Sequence, residues 1–161
     1  MTSPLHGPSG LAFLHGPVGP GSPAWPHRAW FSYGTGVPLS TGLSACVSVV
    51  VSEADTAQAL GTGDVDVLAT PRLIALCEQS CCAAVAGALT DPQTTVGRRV
   101  QIDHLAPLRV GSTVAAEATL ERIEGRRLVF TVSATDDAGL VAAGRMTRVV
   151  VDRDSFLAKA R

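Results

Sequence analysis

The chain has 161 residues, enough for one domain to bury a core without disulfide or metal staples. Its 13 Lys and Arg against 14 Asp and Glu leave a net charge of −1, which excludes the basic footprint of a nucleic-acid binder or of a protein held on an anionic membrane. The charge is unevenly spread: residues 1–40 hold one charged side chain, Arg28, with seven of the ten prolines and five of the seven aromatics.

Residues 1–40 repeat Gly-Pro, Pro-Ser and Ser-Pro steps with no period of 2 or 3.6. Such a stretch buries too little surface to offset its ordering entropy, so it reads as a disordered N-terminal extension, or as translation from a start codon upstream of the true one. Its aromatics (Phe13, Trp25, Trp30, Phe31, Tyr33) leave a partner-binding tail as the alternative. It does not read as a secretory signal, since it lacks a basic n-region and its longest apolar run is Leu11 to Leu14.

Residues 41–161 have the composition of an ordinary domain rich in Ala and Val. Gly42–Ser52 reads as a strand, with Val47, Val49 and Val51 alternating against Ser48, Val50 and Ser52. Ser52 then caps a short helix through about Leu60, with Glu53 and Asp55 in its first turn. Gly61-Thr62-Gly63-Asp64 breaks it, and Val67-Leu68-Ala69 leads into the stretch that organises the chain. From Thr70 to Leu89 the sequence predicts a buried helix, with Thr70 at the N-cap and Pro71 at the first helical position. Glu78 in its middle argues against a membrane span. Four strands follow Thr90-Asp91-Pro92: Thr95–Leu105, Thr113–Ile123, Arg127–Thr135 and Leu140–Val151, with a short terminal helix over Ser155–Arg161. A strand, a long apolar helix and an antiparallel meander imply α+β, and specifically the hot-dog fold, a central helix wrapped by a curved antiparallel sheet.

Of the four cysteines, Cys77, Cys81 and Cys82 lie on the predicted helix and Cys46 on the first strand. None has zinc-ligand spacing backed by histidine, and no metal site is expected. They read as reduced core thiols, which implies a cytoplasmic protein.

A carboxylate in the middle of an apolar helix needs a partner. On the strand Thr95–Leu105, Val96, Val100, Ile102, His104 and Ala106 share one face, with Arg98 the exception. That face is expected to turn toward the helix and to carry inward His104, the only histidine in residues 41–161. Each residue has a plain structural reading: Thr70 as a cap, Glu78 on a solvated edge, His104 as a satisfied core imidazole. Together, a hydroxyl, a carboxylate and an imidazole form a set suited to acyl transfer.

Ala69-Thr70, the helix bearing Glu78, Thr94-Thr95-Val96-Gly97 and His104-Leu105-Ala106-Pro107 followed by Gly111 resemble the fluoroacetyl-CoA thioesterase-like family of hot-dog thioesterases. Glu124-Gly125-Arg126-Arg127-Leu128 and Gly139-Leu140 followed by Gly144 and Arg148 extend the resemblance over residues about 41–156. It implies a homodimer with its active site at the subunit interface, hydrolysing an acyl-CoA to a carboxylic acid and CoA. CoA is then part of the substrate, and no separate cofactor is implied. Thr70, Glu78 and His104 carry over as catalytic residues, Gly97 as lining the thioester site, and Arg148 as a residue to hold a CoA phosphate. Two departures stand out. Gly61-Thr62-Gly63-Asp64 occupies the place of the phenylalanines that gate the fluoroacetyl pocket, so a different acyl group is expected. Met146 stands where the family has a histidine. The alternatives are a non-catalytic acyl-CoA-binding module and a hot-dog enoyl- or hydroxyacyl-CoA lyase. The absence of histidine from the predicted helix disfavours the lyase.

Overall fold

A computed structural model describes residues 36–161. The elements, in chain order, are β1 (Ser44–Val50), a 3-10 turn (Glu53–Asp55), α1 (Ala57–Leu60) and α2 (Thr70–Val85), which ends in a 3-10 turn (Ala86–Ala88). Then come β2 (Gln93–His104), β3 (Thr113–Glu124), β4 (Arg127–Thr135), β5 (Leu140–Asp152) and α3 (Arg153–Leu157). The extension expected over residues 1–40 lies almost wholly outside the described residues.

The expected elements are present, and the sheet is antiparallel in the order β1-β3-β4-β5-β2. Gly125, at φ 60, supplies the left-handed residue that turns β3 into β4. The sheet packs on α2, which lies against β1 and β3 and reaches β2 and β4. Phe130, Leu128, Leu120 and Met146 from the sheet meet Leu73, Leu76, Cys77 and Val85 from α2 in one core. Each large side chain fully buried there contributes about 1.5–3 kcal/mol.

Three expectations need correction. First, α2 is buried on one face only. Leu73, Leu76, Cys77, Ser80, Cys81, Ala84 and Val85 follow the 3.6-residue period, while Ile74, Ala75, Glu78, Gln79, Cys82 and Ala83 are half-covered. Second, Ala69 and not Thr70 holds the N-cap position, so Thr70 is the first helical residue. The predicted short helix after β1 is likewise split, with Thr56 capping α1 by accepting a hydrogen bond from the Ala59 amide at 3.1 Å. Third, β2 carries a bulge between Gly97 and Arg99. The extra residue reverses the alternation, so Thr95 and Gly97, rather than Val96, share the helix side with Val100, Ile102 and His104. A strict period of 2 cannot reveal that shift.

Candidate active site

Two backbone segments fix the mouth of α2. Leu68 donates its N–H to the Leu108 carbonyl at 2.8 Å, and Val67 bridges Arg109, which clamps the approach to the helix onto the loop that follows β2. Leu105 donates to the Val141 carbonyl at 2.8 Å, tying the end of β2 to β5. Between these ties Thr70 Oγ1 lies 2.9 Å from His104 Nδ1. Because Ala69 occupies the cap, the Thr70 hydroxyl is not needed by the helix backbone. With the ring proton on Nε2, that hydroxyl donates to Nδ1. Nε2 is buried and has no hydrogen-bond partner among the described residues.

Arg72, in the first turn of α2, donates from Nε to Asp55 Oδ1 at 2.6 Å. Asp55 also accepts from the amide and hydroxyl of Ser52, at 2.8 and 2.6 Å. Burial raises the Asp55 pKa, but the Ser52 hydrogen bonds and the Arg72 guanidinium outweigh it and hold the carboxyl below its ordinary value. This network anchors the chain ahead of α2 and leaves the helix start a fixed platform.

Glu78 does not meet His104 within the chain. It lies two turns from Thr70, about 12 Å along the axis. Its Oε1 instead accepts from Arg148 Nη1 at 2.7 Å. Arg148 also donates from Nε to Thr95 Oγ1 and from Nη2 to the Thr95 carbonyl, both at 3.0 Å. Gly97 makes room for this arrangement, since a Cβ there would overlap Glu78 Oε1. Arg148, expected from the resemblance to hold a CoA phosphate, is thus engaged within the chain at all three guanidinium nitrogens. Only 8% of its side chain is exposed. Thr95 is the site residue that sequence reasoning missed. Its signal was available only as a polar residue and an arginine on adjacent antiparallel strands, which the alternation pattern alone does not distinguish from solvated positions.

The cysteines are free thiols. Burial lifts Cys77 to about 11 and raises Cys81 and Cys82 as well, although the Arg148 guanidinium opposes the rise at the last two. None is activated as a nucleophile.

A cavity of about 410 Å³ opens beside the Thr70–His104 pair. Its walls come from Ala57, Val65, Val67, Leu68, Pro71, Leu105, Ala106 and Pro107, with Thr62 as a further polar residue. Among the described residues, no phenylalanine, tyrosine, tryptophan or carboxylate lines it. Among the described residues no helix is long and apolar enough to cross a membrane.

The architecture that frames this pair and cavity is that of the hot-dog thioester hydrolases. The comparisons with known proteins agree. The profile of the fluoroacetyl-CoA-specific thioesterase family matches residues 51–154, and the chain belongs to that family. It is 34% identical over 96 residues to the fluoroacetyl-CoA thioesterase of Streptantibioticus cattleyicolor, a match spanning 60% of this chain and 69% of that one. A crystal structure of the fluoroacetyl-CoA thioesterase FlK superposes with a TM-score of 0.73 at 29% identity, covering 76% of this chain and 96% of that one. A thioesterase-superfamily protein from Thermus thermophilus gives 0.70 at 27% identity, covering 75% of this chain and 90% of its own.

Proposed function

We propose that the protein is a cytoplasmic, homodimeric acyl-CoA thioesterase, with Thr70, Glu78 and His104 as its catalytic residues and an acyl group other than fluoroacetyl as its substrate. The observation that carries the reading is the 2.9 Å contact between Thr70 and His104 at the rim of the cavity. The thioester carbonyl lies at the start of α2, where first-turn amides lack intrahelical acceptors and the helix dipole is positive. His104 serves as general acid and base, delivering a proton to the departing thiolate of CoA. The Glu78 carboxylate either attacks the carbonyl carbon or takes a proton from the water that does.

A second copy of the chain completes this set. Among the described residues β2 is a 12-residue edge strand with no neighbour on its outer side, which is an open template for pairing. Gly97, against Glu78, and His104 lie about 20 Å apart on the same face of β2, because the bulge leaves six strand steps between them. Antiparallel pairing of two β2 edges about a two-fold axis near Val100 and Gln101 would set Gly97 of one copy opposite His104 of the other. Glu78 of one subunit would then face the Thr70–His104 pair of its mate, and the half-covered face of α2 would gain cover. The aliphatic cavity wall and the Gly61–Asp64 segment favour a neutral acyl group larger than fluoroacetyl. Reduced thiols fit a reducing compartment.

Co-expression tests the assembly. Glu78→Gln and His104→Ala homodimers are each expected to be nearly inactive on a panel of acyl-CoA thioesters, read as free CoA with a thiol-reactive dye. The mixed population is expected to recover about a quarter of wild-type activity, because half of the dimers are mixed and each holds one intact site. No recovery would refute the shared site. Acyl-CoA binding without CoA release by the wild type would favour the non-catalytic module.

A further inference from the structure

We propose that Arg148, locked in place by Thr95, is the positioning residue for Glu78: it grips one carboxylate oxygen and leaves the other to act on the thioester. The inference rests on the thioesterase reading of the site and deepens it. Arg148 and Thr95 are diagonal neighbours, since the direct cross-strand partners are Thr95 with Val150 and Gly97 with Arg148. The guanidinium thus lies along β2 and spends two of its three nitrogens on Thr95, one on the hydroxyl and one on the carbonyl. Those two contacts fix both the position and the plane of the group. The third nitrogen, Nη1, is aimed at Glu78 Oε1, 2.7 Å away. The missing side chain at Gly97 is what lets that oxygen lie against the strand.

The result is asymmetric. Oε1 is held on the buried side, while no hydrogen bond among the described residues engages Oε2. Glu78 keeps 37% of its side chain exposed, on the face of α2 that the single chain leaves half-covered. A glutamate has three rotatable bonds. Without an anchor at that half-open face it would sample several rotamers, most of them pointing away from a substrate at the helix mouth of the mate. The 7% exposure of Arg148 makes the anchor stiff, and the 2.7 Å contact with the Glu78 carboxylate offsets part of the cost of burying the guanidinium.

A purely structural salt bridge and a positioning device differ in what they do to kinetics. Arg148→Lys keeps a charge but loses the fork, Arg148→Met removes both, and Thr95→Val frees the fork. Misplacement of a reacting group by about 1 Å costs about 100-fold, so Arg148→Met is expected to lower kcat about 10- to 100-fold with KM changed less than about threefold. Arg148→Lys and Thr95→Val should show smaller losses of the same kind. The double variant Glu78→Gln/Arg148→Met should be no slower than Glu78→Gln alone, because Arg148 acts only through Glu78. Should Arg148→Met fail to fold, Arg148→Lys and Thr95→Val carry the same test. Wild-type kcat in the Arg148 variants, a rise in KM at constant kcat, or fully multiplicative losses in the double variant would each overturn the inference. A wild type that hydrolyses no acyl-CoA would instead overturn the thioesterase reading beneath it.

Discussion

Replacing Gly97 with alanine probes the centre of this architecture with a single methyl group. The new Cβ would overlap Glu78 Oε1, and the end of that flexible side chain yields more readily than the strand backbone. The carboxylate must leave, breaking its 2.7 Å bond to Arg148 and stranding a guanidinium whose side chain is only 8% exposed. Removing one partner from a fully buried pair costs about 3–5 kcal/mol. Glu78 is 37% exposed, so solvent screens the pair and about 1–2 kcal/mol is the better figure. For a domain of this size that corresponds to a fall of about 3–10 °C in Tm. Scanning calorimetry of Gly97→Ala in the wild-type and in the Glu78→Ala backgrounds isolates the cause. With the Glu78 side chain removed, the methyl has space and its cost should nearly vanish. An equal loss of Tm in both backgrounds would refute the steric account, since the damage would then arise from the strand itself.

Three further outcomes follow from other parts of the fold. His104→Ala and Glu78→Ala should each lower acyl-CoA hydrolysis by about 100-fold or more, the scale of general acid–base catalysis, and near-native turnover in folded variants would remove both from the mechanism. The Asp55 carboxyl has a folded pKa below its unfolded value of about 3.9. Its stabilisation is therefore present above that value and lost as pH falls through the folded pKa, so denaturant midpoints should drop below about pH 4 and Asp55→Asn should flatten that drop. At Gly144 a Cβ would strike the Gln101 carbonyl and Ile102 Cα on the neighbouring strand. Overpacking of this kind costs about 1–3 kcal/mol, so Gly144→Ala should lower the urea midpoint, and an unchanged midpoint would mean the strands can part locally.

The meander was legible because Leu128, Phe130, Val132 and Ala134 repeat with a period of 2 that only a half-buried strand requires, and all four are buried. The central helix was legible from its length and its Pro71, but its burial was overread. An apolar run does not say whether neighbours from the same chain or from another cover each side. The pairing of Thr70 with His104 could be anticipated, since both sit at element ends on the helix side of the sheet. The partner of Glu78 could not. Arg98 looked like a lone break in the alternation of β2, whereas it marks the bulge that turns Thr95 and Gly97 toward Glu78 and Arg148. Nothing in composition separates Arg148 from the solvated arginines of the same sheet. Only the register of β5 against β2 does so.

The clamp between residues 67–68 and 108–109 is made by main-chain atoms alone. The spacing of hydroxyl and imidazole is therefore insulated from the identity of the side chains at 57–67, which form one wall of the adjoining cavity. Selection could rewrite that wall, residue by residue, while inheriting an unaltered chemical pair. A family built this way can diversify in what it accepts without reinventing how it reacts.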